Sequence, residues 1–388
     1  MAPVPTAAAA TTTATNPAAN GTAVRRRIVA ATTGSDAAAA VGAVVLALAI
    51  GAILVLSSGH SVPSAYAAML RGAFGSSQNL ANTLVETVPL ALVGVALALS
   101  FRIGLFNIGA EGQLLMGGLA AGVVGGLLPN APAFVVLPAM AASAAAAGGL
   151  WAGIAGALKV YLKSNEVLNT IMLNYVALYL VTYLLNGPLR DPSSALAQTR
   201  QLSPAAGLPI LWPGTTLHEG ILLAVAVAGV AQVWLFRRVG GFRLRAIGLN
   251  PLAAANSGLP VRRMLLLTFA VGGALAGLAG FCQVAGVQGR MIVDLSPGYG
   301  YSGIVVALIG RNSPLGVLLA AFFFGALSVG GQAMETSVGV PASVVTVIQY
   351  LVVLLIVARG ALRLRTRPVA ADADAAADDA TTAAEQEA

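Results

Sequence analysis

Apolar positions run together in stretches of about 20 residues along nearly the whole chain, each long enough to cross a ~30 Å hydrocarbon core as a helix. Ten such spans are expected, over residues 37–57, 82–102, 109–128, 132–157, 167–186, 219–236, 264–287, 291–310, 314–333 and 341–358. The third and eighth are rich in glycine and adjoin polar motifs, which leaves a broken or re-entrant course open for each. Polar residues gather in two longer connections. Residues 187–218 hold Pro188, Pro192, Pro204, Pro209 and Pro213 and no long apolar run, whereas residues 237–263 are basic at both ends with a potentially helical middle. The expected fold class is therefore an all-α integral membrane protein. Its transmembrane domain covers 37–360, between disordered tails over 1–36 and 361–388 that are too poor in bulky apolar residues to build a core.

Composition agrees with that pattern. Hydrophobic residues make up 57% of the 388 and charged residues only 9%, too little charge to cover a soluble surface. The net charge of +7 invites a nucleic-acid reading. The arginines, however, sit in small groups at the ends of apolar runs, as a topology signal does. With the N-terminus inside, every Lys and Arg falls on the cytoplasmic side except Arg71, Arg190, Arg200 and Arg290. Arginine clusters beside the first and last spans place both termini inside and require an even number of crossings. The late Arg25, Arg26 and Arg27, followed by a long apolar run, fit an uncleaved first span better than a signal peptide.

Several chemistries have no support. The lone Cys282 allows no disulfide within the chain, and His60 and His218 suggest no metal site. No segment reads G-x-x-x-x-G-K-[ST], and neither lysine, Lys159 or Lys163, fits one. Any ATP hydrolysis thus belongs to another chain, and no cofactor is expected. Glu86, Glu111 and Asp294 are the only candidates for a membrane-embedded acidic relay, too few for a proton-coupled carrier.

Four motifs carry the polar groups. In GLFNIGAEGQLLMGG, residues 104–118, Asn107, Glu111 and Gln113 open an apolar stretch among glycines that permit close backbones or a break. Glu111 either faces the solute pathway or lies at the cytoplasmic boundary beside Arg102. In KSNEVLNTIMLNY, residues 163–175, Glu166 suits the start of a helix dipole, Asn169 follows one turn on, and Asn174 serves either as glue between helices or as a solute contact. In LRAIGLNPLAAANSGLPVRR, residues 244–263, Asn250 is a candidate N-cap, Pro251 suits the first helical position and Gly258 follows the end. This short helix is a docking element or an interfacial helix held by its arginines. In SPGYGYSGIVVALIGRNSPLG, residues 296–316, Tyr299 and Tyr301 are interfacial anchors or stack on a ring-bearing solute.

Taken in order, residues 106–113, 165–175, 245–258 and 298–316 resemble the permease subunits of bacterial ABC importers, in the branched-chain amino acid and ribose-type group. They are most similar to the nucleoside, basic membrane lipoprotein-linked permeases, over about residues 80–360. The resemblance implies two inverted halves as in vitamin B12-type permeases. It implies a pathway bordered by Asn107, Glu111, Gln113, Asn169, Asn174 and Tyr299. It also implies a coupling loop over 237–263 with Arg245, Gly248, Asn250, Ala254 and Gly258 at the ATPase. Implied partners are a cytoplasmic ABC ATPase, a second permease that is a different paralogue, an extracytoplasmic substrate-binding lipoprotein and the lipid of the bacterial inner membrane, with no nucleic acid. A nucleoside is the expected solute. A sugar or branched-chain amino acid permease and an ion-coupled carrier are the alternatives.

Overall fold

The computed structural model describes residue 42 and residues 45–341, 343–351, 354 and 355. The tails expected over 1–36 and 361–388, with their arginine clusters, lie outside the described residues. Among the described residues every extended regular element is helical. β pairing is limited to two isolated bridges, Gln198 with Ile292 and Ile210 with His218.

The helices in chain order are α1 (Val45–Ser57), α2 (Val62–Phe74), α3 (Ser77–Arg102), α4 (Ala110–Leu127), α5 (Ala133–Leu162), α6 (Glu166–Asn186), α7 (Gly220–Arg237), α8 (Val239–Leu249), α9 (Pro251–Asn256), α10 (Val261–Cys282), α11 (Tyr299–Ile309) and α12 (Pro314–Val338), followed by α13 over 343–351. Six are long and apolar enough to cross a membrane: α3, α5, α6, α7, α10 with its continuation to Gln288, and α12. A bent pair, α1 and α2, makes up to seven.

The sequence expectation of ten spans thus meets six or seven, and the differences have physical causes. Residues 62–74 were expected outside any span, yet they form α2 at 118° to α1. Ser61 starts it by accepting from the Ser64 amide at 3.3 Å, and a proline occupies its first turn. The eighth span shortens, because residues 291–298 are not α-helical and α11 has 11 residues. At 1.5 Å per residue α11 is about 16 Å long, half a bilayer core. The third, α4, has 18 residues, and the polar Glu111 and Gln113 lie near its start. The last span is only partly within the described residues.

α3 runs through the middle of the bundle. Every residue from Thr87 to Ser100 is buried, as a helix apolar all round requires. α10 lies against α5 and α4 through glycines. A Cβ on Gly277 would sit 2.2 Å from the Ala144 carbonyl oxygen, and one on Gly280 2.2 Å from that of Leu114. These backbones touch, so the helices are held by close packing rather than by interlocked large side chains.

The proline-rich connection over residues 187–219 lies across the end of α10, where a π-helical turn, Gln283–Gln288, closes at Gly289 with φ +62°. Leu208 donates to the Ala285 carbonyl at 2.8 Å, Leu202 to Gly289 at 2.9 Å and Thr199 to Met291 at 3.0 Å. Leu202, Ala206 and Leu217 are buried beneath it. His218 packs there too, and burial pushes its imidazole down to about 4.

Candidate functional site: a polar joint between the starts of α4 and α11

From the end of α3 the chain turns at Gly104, with φ +85°, and re-enters the bundle through Asn107 before α4 begins. A helix that starts in an apolar interior leaves its first amides open. Here the side chains of the first two motifs close them. Asn107 and Gln113 exchange two amide hydrogen bonds, of 3.2 and 3.0 Å, and Asn107 also accepts from the Gly109 amide at 3.1 Å. Asn174 reaches over from α6. Its Oδ1 accepts from the Gly112 amide at 2.9 Å, and its Nδ2 donates to the Ile108 carbonyl at 2.9 Å and to the Tyr301 hydroxyl at 3.4 Å.

Glu111 completes the joint. Its Oε2 accepts from the Gly300 amide at 2.6 Å, in the first turn of α11, where the helix dipole favours a negative group. A Cβ on Gly300 would lie 2.3 Å from the Glu111 nitrogen, so glycine is what lets the two helix starts approach. The alternative partner, Arg102, is engaged elsewhere. Its Nε donates to the Asn312 carbonyl at 2.9 Å and its Nη2 to that of Arg311 at 3.2 Å, while its guanidinium lies 5.4 Å from the Phe236 ring centre.

Next to the joint is a cavity of about 270 Å³, lined by Glu111, Asn174, Tyr175, Asp294, Ser296 and Tyr301 among others. Of the six residues expected along the pathway, it contains Glu111 and Asn174. Asn107 and Gln113 are buried and bound to each other, outside the cavity lining. Asn169 stays at the start of α6, where its amide donates to Ser164. Tyr299 points to a different cavity, and its hydroxyl donates to Glu86 at 2.8 Å. Sequence reasoning named Glu86 only as a possible relay group, and the signal was there: it is the one carboxylate in the apolar stretch over 82–102. A larger cavity, about 510 Å³, lies between α7 and α10 and is lined almost entirely by apolar side chains such as Val230, Trp234 and Val271. It has the chemistry of an acyl-chain site, not of a polar solute.

The basic connection over residues 237–263 contains the short capped helix its sequence predicts. The Asn250 Oδ1 caps α9 by accepting from the amides of Leu252 at 3.1 Å and Ala253 at 3.0 Å. Gly258 follows with φ +78°. The side chains expected at an ATPase divide differently. A Cβ on Gly248 would lie 2.0 Å from the Arg102 carbonyl oxygen, so Gly248 seats α8 on the end of α3. Ala254 is buried, and Arg245 stands 5.2 Å from the Phe236 ring. Asn250 and Gly258 are exposed, and so are Leu249, at 88%, and Leu252, at 78%, neither of which the motif singled out.

The chain is similar to known permeases over most of its length. The family described as "Branched-chain amino acid transport system / permease component" matches residues 79–357. The chain is 39% identical to the glucose ABC transporter permease protein of Haloferax volcanii, over 81% of this chain and 85% of that one. It is 38% identical to the guanosine ABC transporter permease protein of Bacillus subtilis, over 83% and 93%. It is 31% identical to the nucleoside ABC transporter permease protein of Lactococcus lactis, over 81% and 88%. No solved structure matches significantly. This multi-pass helical membrane protein belongs to the branched-chain amino acid transport system permease family, and it is a permease subunit of an ABC importer.

Proposed function

We propose that this permease forms the translocation path for a nucleoside in an ATP-driven importer of the bacterial inner membrane. The observation that carries the solute class is the lining of the cavity beside the α4–α11 joint. It offers amide, hydroxyl, phenol and carboxylate groups and, among the described residues, no basic side chain. A neutral polar solute fits such a lining, whereas an amino acid would bring its own carboxylate against Glu111 and Asp294. The guanosine and nucleoside permeases among the relatives favour a nucleoside. The glucose permease of Haloferax volcanii favours a sugar as the second reading. Glu111 and Asn174 border the path in this proposal, and Tyr299 borders it from the neighbouring cavity.

The energy reaches the chain from a separate ATPase subunit docked on α8 and α9. Arg245, Gly248, Asn250, Ala254 and Gly258 shape that element, and Leu249 and Leu252 make the contact. Two inverted halves, with both termini cytoplasmic, a second and different permease subunit, and an extracytoplasmic lipoprotein complete the assembly. Closure of the ATPase pair rocks the helices and exposes the path alternately to each side. Uptake assays on the complete transporter, with unlabelled guanosine, glucose and leucine as competitors, test the solute. Competition by guanosine alone is expected, and competition by glucose alone replaces the nucleoside with a sugar.

A further inference from the structure

Between Ser77 and its final residue, Arg102, α3 carries a single ionisable side chain, Glu86. Glu86 receives one hydrogen bond on each oxygen, from Tyr299 at 2.8 Å and from Ser328 at 3.3 Å. A carboxylate has about four acceptor positions, so half of its capacity stays open. It opens on a second cavity, of about 200 Å³, lined among others by Ser302, Gln332, Gln349 and Tyr350. Among the described residues no basic side chain lines this space, so none of them serves there as a counter-ion to Glu86. Gln332, Thr346 and Tyr350 at its border are exposed on α12 and α13, and polar groups on membrane helices face a water-filled path or a partner rather than lipid. The Ser296–Tyr301 segment stands between the two polar cavities. Pro297 and Tyr299 line this one, and Ser296, Gly298 and Tyr301 line the other.

We propose that the Glu86 chamber is a recognition subsite for a vicinal diol, with the two free acceptor positions of Glu86 taking both hydroxyls and the Gln332 and Gln349 amides flanking the sugar ring. A carboxylate accepting from ribose hydroxyls is an established solution for sugar recognition. The chamber rests on the reading of the chain as a solute path, and its chemistry fits the ribose of a nucleoside or a free sugar alike.

The test uses the complete transporter carrying Thr346→Cys at the chamber border. The native Cys282 is buried, so a water-soluble thiol reagent reads the introduced cysteine. Guanosine is expected to slow labelling, and 2′-deoxyguanosine to need at least tenfold higher concentration for the same protection. Glu86→Gln should remove that difference between the two. If glucose protects better than 2-deoxyglucose while guanosine does nothing, the nucleoside reading falls and the diol subsite stands. Absence of protection by either solute overturns the subsite, whatever the uptake assays show. Equal protection by the hydroxylated and deoxy forms with Glu86 intact also overturns it, so the result does not depend on the variant folding.

Discussion

Two carboxylates lie inside this bundle within one turn of α11, and they are used in opposite ways. Glu111 accepts from the Gly300 backbone amide and joins two helix starts in a network that includes Asn174 and the α4 backbone. Glu86 accepts only from the hydroxyls of Tyr299 and Ser328 and keeps free acceptor positions beside a polar cavity. A buried acid in a membrane protein is therefore not a site by residue type alone. What sets Glu111 apart is that one of its partners is a backbone amide of a helix start, whereas the partners of Glu86 are side-chain hydroxyls.

The largest effect that sharpens this contrast is expected at the joint. Asn174→Leu leaves the Gly112 amide and the Ile108 carbonyl without their partner, at about 1–3 kcal/mol for each buried group. The variant should melt well below wild type in detergent and be poorly assembled. Ser328→Ala, by contrast, removes one long hydrogen bond to Glu86, costs within about 1 kcal/mol, and should change solute selectivity with little change in melting. Equal loss of stability in the two would erase the distinction. Glu111→Gln retains an acceptor for Gly300 and should keep most uptake, whereas Glu111→Leu should lose it along with thermal stability.

Acid gives a smaller, signed effect on the proline-rich connection. His218 folds neutral, with burial lowering it from 6.5 to about 4. The folded state thus binds fewer protons in that window. Its contribution to stability is complete above pH 6.5 and declines as pH falls toward 4, by about 1.4 kcal/mol per unit at most. Melting curves of His218→Gln should show a shallower acid slope, and an unchanged slope removes His218 as the cause. Asn250→Ala should cost about 1 kcal/mol through the lost cap. Because the helix it caps is the proposed ATPase contact, co-purification of the ATPase should fall. Leu252→Asp should lower it further while leaving melting unchanged. Smallest of all, Lys159→Met breaks an ion pair with Glu166 that is partly solvent-exposed, and its cost should stay below about 1 kcal/mol.

Much of this was legible in the chain. Long apolar runs gave α3, α5, α6, α7, α10 and α12 within a few residues, since length and apolarity are local properties. The Asn-Pro start and the glycine after Ser257 located α9, because caps are also local. α2 was missed because its apolar residues are too few for a span, and its angle to α1 depends on packing. Site residues were harder. Asn107 and Gln113 look like pathway groups until their mutual pairing is seen, and that pairing needs the re-entrant turn at Gly104. Tyr299 stands out within its own motif, but its partner Glu86 is 213 residues away in sequence, a separation no local pattern spans.

The central claim is that solute movement through this chain is driven from outside it. The direct measurement is accumulation of radiolabelled guanosine in sealed proteoliposomes, with the chain alone and then with the proposed ATPase, sister permease and lipoprotein. The chain alone should show no accumulation under any ion gradient, and the full assembly should concentrate guanosine only with ATP. Concentrative uptake by the chain alone would contradict the account.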